Sequence, residues 1–243
     1  MRSFTNKFTS VVFFSFLIAN TAALPATPVL VQFSDPRFLP LLKLAPGLDP
    51  HALEAALTAL KRLQDNGTKV RADVLTVIDY TRPSTERRLW VFDLAHLRVL
   101  FAELTAHGKN SGDNQAVRFS NAPDSLMTSL GAFLTGGTYI GRHGLSLRLE
   151  GLEKGINDNS MKRAIVIHAA VYISDAIARN KGRIGRSWGC PAVRPEISRS
   201  LIEAVEGGTL VLAYYPDISW FRNSKLIGQD SSPEATRAAL HGG

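Results

Sequence analysis

The sequence predicts a mainly β domain, a sandwich or partly closed barrel, with one helix before the strands and a second helix after Cys190. Two observations support this prediction. Short segments rich in β-branched and aromatic residues recur from residue 73 onward, and only two segments space their apolar residues as an amphipathic helix does. Short strands accompanied by few helices are typical of sandwiches and barrels.

Residues 24–72 are predicted to form a lead-in followed by a helix. Prolines oppose regular structure before residue 48, so we expect an extended segment there; they are Pro25, Pro28, Pro36, Pro40 and Pro46. The helix begins after Asp49, which can cap it, and ends at Asn66 and Gly67. Leucines at helical spacing give it an apolar face for packing on the main domain, namely Leu53, Leu57, Leu60 and Leu63.

Residues 73–215 are predicted to be the main domain. Its second helix covers residues 195–205, and the segment 107–137 is predicted to be mostly loop, interrupted by an apolar stretch at 130–134. We expect the tail, 216–243, to be peripheral. The predicted strands are residues 74–80, 88–93, 98–106, 145–149, 164–170 and 209–214.

The first 23 residues are predicted to be a cleaved export signal. They combine basic residues, a short apolar run and small residues before Leu24, and the run is too short to span a bilayer. Losing Arg2 and Lys7 lowers the formal net charge from +7 to +5, because residues 1–23 contain no acid. The remaining basic residues are scattered, which argues against a nucleic-acid partner, and no later stretch is apolar enough to span a membrane. We therefore expect a periplasmic or cell-wall-associated protein.

Cys190 is the only cysteine in the chain and cannot form an intramolecular disulfide. Gly189 before it and Pro191 after it indicate a sharp turn rather than a regular element. A free thiol on such a turn is either an inert buried side chain or a nucleophile, and in an exported protein we favour the nucleophile.

A cysteine nucleophile needs a base or a cationic neighbour that lowers the pKa of its thiol. His168 ends a strand of buried character, where a rigid sheet can aim its imidazole, so we predict that it is the base; a core histidine is the alternative. The other histidines are His51, His96, His107, His143 and His241.

Two other chemistries compete with this pair. A metal site built from His143, His168 and Cys190 is possible, but the close ligand pairs typical of zinc sites are missing from the sequence. Ser187 sits in a Gly-x-Ser-x-Gly pattern, yet it lies three residues before a better nucleophile. We interpret Ser187 as a support of the turn.

His168 followed by Ser187-Trp188-Gly189-Cys190 resembles the signature of the L,D-transpeptidase catalytic domain (YkuD-like), in which a histidine precedes Ser/Thr-His-Gly-Cys. Further segments resemble the branch described as murein L,D-transpeptidase catalytic domain proteins. These segments are 119–121, 129–131, 139–149, 151–153, 157–159, 163–168 and 185–193. The resemblance runs from about residue 73 to 215 and so covers the whole predicted β domain.

This resemblance implies acyl transfer on peptidoglycan stem peptides, without a metal or an organic cofactor, by an exported β-sandwich-like domain. It implies Cys190 as the nucleophile and His168 as the base. The supporting or oxyanion residues would be Ser187 and Gly189, and we expect substrate contacts from Arg186, Trp188, Tyr139 and His143.

The sequence departs from the commoner pattern at two positions. Trp188 stands where a second histidine is usual, and Ala192 stands where an arginine often follows the cysteine. Both changes bear on substrate contacts and the choice of acceptor. Three outcomes therefore stay open: transpeptidation, hydrolysis as an L,D-carboxypeptidase or endopeptidase, and wall binding without catalysis.

Overall fold

Thirteen helices and strands make up the part of the chain that the computed structural model describes, residues 35–228. The helices are α1 (Phe38–Leu44), α2 (Pro50–Asp65), α3 (Asp175–Lys181), α4 (Pro195–Val205) and α5 (Ile218–Asn223). The strands are β1 (Arg71–Asp79), β2 (Leu89–Asp93), β3 (Arg98–Glu103), β4 (Gly131–Gly141), β5 (Gly144–Gly151), β6 (Val166–Ala169), β7 (Ala192–Val193) and β8 (Thr209–Tyr214).

All eight strands join in one mixed sheet with the order β3-β2-β1-β8-β4-β5-β6-β7. Its two edge strands approach each other, because the backbone N–H of Ala106 and the hydroxyl of Thr105 both donate to the carbonyl of Ala192, at 3.0 and 2.9 Å. An ion pair between Arg194 and Glu103, 2.7 Å long, lies across the same seam. The sheet is therefore a nearly closed barrel, and the predicted mainly β fold is confirmed.

Helix α2 forms for the reasons that the sequence indicated. The carboxylate of Asp49 accepts a hydrogen bond from the backbone N–H of His51 at 2.8 Å, which caps the helix, and Pro50 occupies its first turn. Its buried face contains Leu53, Leu57, Leu60 and Leu63 and packs against β1 and β8. The predicted helix is confirmed.

The predicted extended lead-in is wrong for residues 38–44, which form α1. Pro40 lies in the first turn of this helix, where no backbone N–H is needed for a helical hydrogen bond, so the ring is tolerated. Phe38 and Leu41 are buried and provide the contacts that hold α1 in place. Residues 1–34, with the predicted export signal, lie outside the described part of the chain.

The predicted loop at 107–137 is wrong at its C-terminal end, where β4 begins at Gly131. The sequence does not predict this strand because Gly136 and Gly137 are typical of a loop. In the structure the two glycines lie between Thr135 and Thr138, where the register between β4 and β5 shifts. A bulge accommodates the two glycines inside an otherwise regular ladder. The strand then continues to a tight hairpin that β5 completes.

The tail is not peripheral over residues 217–228. Trp220 and Phe221 of α5 are buried, and the indole N–H of Trp220 and the hydroxyl of Ser224 both donate to the carboxylate of Glu153. Burial raises the pKa of Glu153, while these donors oppose that rise. Residues 229–243 lie outside the described part. Within residues 35–228, no helix is both long and apolar enough to cross a membrane.

Candidate active site

A cavity of about 700 Å³ opens between the β4–β5 hairpin, β6 and the turn that enters β7. It is lined by seven of the residues singled out in the sequence, namely Cys190, His168, Ser187, Trp188, Arg186, Tyr139 and His143. Arg142, Arg163 and Tyr172 also line it. The fold thus gathers the predicted nucleophile and the predicted base into one pocket, together with all four predicted substrate contacts.

The two central residues reach this pocket from adjacent strands. His168 lies on β6 and pairs with Ser146 on one side and with Ala192 on the other. Ala192 begins β7, so Cys190 stands two residues before the strand that runs parallel to β6. The sheet therefore fixes the imidazole, and the turn that enters β7 delivers the thiol.

Ser187 closes that turn. Its hydroxyl donates to the carbonyl of Cys190 at 2.7 Å and accepts the backbone N–H of Gly189 at 3.0 Å. The backbone N–H of Ser187 donates to the carbonyl of His107 at 2.9 Å, which ties the turn to the segment after β3. The hydroxyl bonds the turn rather than the imidazole of His168.

Gly189 is required by the backbone of the turn. Its φ of +130° is disfavoured for other residues, and a Cβ there would lie 2.7 Å from the carbonyl oxygen of Met127. Because its N–H is already donated to Ser187, Gly189 is not placed as an oxyanion donor, which corrects that part of the prediction. The N–H of Cys190 makes no hydrogen bond within residues 35–228 and is the donor left for that task.

His168 has the tautomer that a base needs. Its side chain is buried, and Nδ1 lies 2.8 Å from the carbonyl oxygen of Ala169, which can only accept. The ring proton therefore sits on Nδ1, and Nε2 carries a lone pair. Burial lowers the pKa of His168, the hydrogen bond to Ala169 opposes this, and the neighbouring His143 and Arg142 lower the pKa further. The imidazole is thus neutral and able to accept a proton.

The thiol of Cys190 rests in its protonated form. Burial raises the pKa of this thiol, although the Val166 N–H and the charges of Arg163 and Arg142 oppose the rise. Its Sγ lies 3.6 Å from the carbonyl oxygen of Ala164, an acceptor for the S–H. Ala164 has a φ of +52°, uncommon for a residue other than glycine, and such strain is often found at functional sites. A lowered pKa of the thiol is expected where an imidazolium of His168 pairs with the thiolate, and burial together with the neutral imidazole acts against that pair in the free protein.

A family model described as L,D-transpeptidase catalytic domain matches residues 44–214, well over half of the chain. The chain belongs to this family. The resemblance seen in the sequence is thereby confirmed, and the matched region includes α2 as well as the strands. A search of curated proteins finds no match.

Two solved structures are similar over part of this L,D-transpeptidase domain. One is an L,D-transpeptidase from Mycobacterium smegmatis, with 14% identity, a TM-score of 0.32, and coverage of 52% of this chain and 54% of that chain. The other is LD transpeptidase LdtMt1 in complex with imipenem, with 15% identity, a TM-score of 0.34, and coverage of 58% and 67%. The chain thus spans about half the length of the first structure.

The predicted substrate contacts of this L,D-transpeptidase domain differ in whether other residues of the protein already bind their side chains. Trp188 is 61% exposed and lies under the guanidinium of Arg142, 5.2 Å from the ring centroid. Arg186, by contrast, donates to the carbonyl of Gly112 at 2.9 Å and pairs with Asp113 at 3.3 Å. Arg186 therefore fastens the turn to a neighbouring loop, whereas Trp188 faces the solvent.

A buried polar network beneath the turn is absent from the sequence prediction. Arg88 is fully buried and donates to the carbonyl of Thr105 at 2.7 and 3.0 Å and to that of Arg82 at 3.1 Å. It also lies 2.8 Å from Nδ1 of His107 and stacks on Tyr80. Because the His107 carbonyl accepts the Ser187 N–H, this network supports the turn.

The possible metal site finds no support in the geometry. His143, His168 and Cys190 line one cavity, but no group of three or more His, Cys, Asp or Glu side chains in residues 35–228 is arranged to hold a metal ion. Arg142, Arg163 and Tyr172 line the cavity but are not among the predicted site residues. Arg142 and Arg163 lie in segments that carry the family resemblance, so the sequence contained a signal that could have identified them. No such segment includes Tyr172.

Proposed function

We propose that the protein transfers acyl groups between peptidoglycan stem peptides through a thioester on Cys190. The observation that carries the proposal is the shared cavity of Cys190 and His168, with a neutral imidazole whose Nε2 can accept a proton. Membership of the L,D-transpeptidase catalytic domain family supports this choice of reaction. Cleavage by hydrolysis at the same site is the second outcome to be tested.

The first half of the reaction forms the thioester. Nε2 of His168 accepts the proton of the Cys190 thiol while Sγ attacks the carbonyl carbon of the diamino acid at the third position of a tetrapeptide stem. The oxyanion accepts the N–H of Cys190, and one such donor typically contributes about 3–4 kcal/mol to the transition state. The C–N bond to the terminal D-alanine then breaks, and His168 returns the proton to the leaving amine.

The second half resolves the thioester. An amine of another stem attacks the carbonyl, gives its proton to His168, and leaves a new amide cross-link with the thiol restored. Water attacking in the same way leaves a carboxylate, which would make the protein a carboxypeptidase or an endopeptidase. The two outcomes differ in the acceptor and use the same residues of this chain.

Products from purified sacculi test the proposal. The wild-type protein and Cys190→Ala are incubated with tetrapeptide-rich sacculi, which are then digested and analysed by mass spectrometry. New cross-linked dimers that Cys190→Ala does not form are the expected result. Shortened monomers would identify a hydrolase instead, and identical products from both proteins would favour a non-catalytic wall-binding module.

We also propose that the protein acts outside the cytoplasm, after residues 1–23 are removed. The basic start, short apolar run and small residues before Leu24 support this. The mature N-terminus, determined by mass spectrometry of the exported protein, should fall within a few residues of Leu24. Recovery of the chain outside the cytoplasm with Met1 intact would contradict it.

A further inference from the structure

The candidate active site carries an unbalanced positive charge. Arg142, Arg163 and Arg186 all line the cavity, and no aspartate or glutamate is among its lining residues in the described chain. A cavity of one charge sign concentrates ligands of the opposite sign. The charge therefore indicates a ligand with an anionic group.

Two of these arginines already use their side-chain donors in hydrogen bonds or an ion pair within the protein. Arg163 donates to the carbonyls of Ser120 and Met127, at 2.8 and 2.5 Å, and to the hydroxyl of Ser129 at 2.5 Å. Arg186 is held by Gly112 and Asp113. Arg163 adds positive charge to the cavity, whereas Asp113 partly offsets the charge of Arg186, and the donors of both arginines are largely used.

Arg142 differs because the terminal nitrogens of its guanidinium have no hydrogen-bond partner within residues 35–228. It stands at the tip of the β4–β5 hairpin, where its Nε donates to Nε2 of His143 at 3.0 Å. Within residues 35–228, its two terminal nitrogens make no hydrogen bond and it forms no ion pair. The centre of its guanidinium lies 5.2 Å from the ring centroid of Trp188, within the range of a cation–π contact, and this contact leaves the terminal nitrogens available to a ligand of the cavity.

We propose that Arg142, held on Trp188, is the receptor for a free carboxylate of the peptide ligand. A guanidinium with a free edge binds a carboxylate through two parallel hydrogen bonds, and a supporting aromatic ring reduces the entropy lost when they form. The identity of the ligand as a stem peptide rests on the proposed function. The assignment of Arg142 to an anionic group rests on its own contacts and on the charge of the cavity.

Calorimetric titration of the unreactive Cys190→Ala protein tests this without any turnover. The probe is a synthetic tetrapeptide stem, used with all its carboxylates free and then amidated at one carboxylate at a time. We expect Arg142→Gln to weaken binding of the free peptide by tenfold or more. Amidation of the carboxylate that Arg142 binds should weaken binding to the protein that retains Arg142 as much as Arg142→Gln weakens binding of the free peptide. The amidated peptide that shows this loss identifies the bound carboxylate.

Arg148→Gln is the matched control. Arg148 is also an exposed arginine stacked on an aromatic cavity residue, 4.3 Å from the ring centroid of Tyr139, but it does not line the cavity. Its removal changes the net charge equally and should leave the dissociation constant within about twofold. Equal weakening by both substitutions, or no amidated peptide that abolishes the Arg142 effect, would overturn the proposal.

The result separates this inference from the proposed function. Binding that depends on Arg142, without any product from sacculi, would sustain the anion receptor and reject the acyl transferase. Products from sacculi that require Cys190, combined with peptide binding that Arg142→Gln does not change, would contradict the role of Arg142 and support the proposed acyl transfer.

Discussion

The imidazole of His143 stacks on the imidazole of His168, with ring centroids 4.4 Å apart and 23° between the ring planes. Nε2 of His143 accepts a hydrogen bond from Arg142, so the two rings and the guanidinium form a row. A proton added to His168 would face the positive charge of Arg142 and a second imidazole, in a buried position. This arrangement keeps the proposed base neutral in the free protein.

The first prediction concerns the acidic limb of the pH profile, where kcat/KM falls as the pH is lowered. A pKa of His168 below the ordinary value of about 6.5 means that the neutral base is present above that lowered pKa and is lost as the pH falls through it. We expect kcat/KM to hold down to a pH below 6.5. His143→Ala should raise the pKa of His168 and move the limb upward, whereas the exposed His96→Ala should not. An unmoved limb in His143→Ala would contradict the role of the stack.

The second prediction concerns the reactivity of the thiol. Burial raises the pKa of Cys190, so iodoacetamide labelling should show a midpoint above the free-thiol value of about 8.5. Arg142→Gln removes a charge that lowers this pKa, and its midpoint should lie higher still. A midpoint below 8.5 would show instead that a thiolate and imidazolium pair already exists in the free protein.

The third prediction is that Cys190 and His168 act as one unit. Each single alanine substitution should abolish most turnover, and the double substitution should add little, because both groups serve the same step. Initial rates on tetrapeptide stems, with circular dichroism as the test of folding, measure this. Independent, multiplicative losses would mean that His168 is not the base for Cys190.

The fourth prediction concerns the backbone of the turn. Gly189→Ala places a Cβ 2.7 Å from the Met127 carbonyl in a backbone conformation that alanine rarely adopts, so the turn should shift and turnover should fall by about tenfold or more. Gly137→Ala is the control, because a Cβ there meets nothing within 4 Å. Equal activity of the two variants in the same assay would show that the turn tolerates the change.

The fifth prediction concerns stability below neutral pH. Burial, with the charge of Arg88 adding to it, lowers the pKa of His107 to about 4. Between that value and about 6.5, only the unfolded chain binds the proton, so the free energy of unfolding falls as the pH falls. At pH 5 the loss attributable to His107 is about 2 kcal/mol. Urea denaturation at pH 5 and pH 7 should show a smaller difference for His107→Asn, and an unchanged difference would contradict the assignment.

Local sequence predicted the elements whose signals are local. The predicted helix at residues 195–205 and the predicted strand at 209–214 coincide with α4 and β8, because apolar periodicity and flanking residues define both. Strand β4 was missed because its glycines resemble a loop, and β7 because two residues carry no pattern. These strands exist only through pairing with neighbours that are distant in sequence.

The candidate site divides in the same way. Cys190 and His168 were found because a lone thiol and a histidine at the end of an apolar strand are unusual in themselves. Arg88 and His107 were not, since a buried guanidinium has meaning only once Thr105 and the turn are brought to it. The free edge of Arg142 likewise depends on Trp188, which is 46 positions away in the printed sequence.

The barrel seam also has a consequence for the position of the nucleophile. β7 pairs with β6 at only two positions, so β6 alone gives this two-residue strand little support. Across the seam, the carbonyl of Ala192 accepts the N–H of Ala106 and the hydroxyl of Thr105, and Arg194 pairs with Glu103. The strand that follows Cys190 is therefore held from both sides, and a substitution at the far edge of the sheet, such as Glu103→Gln, would act on the thiol from a distance.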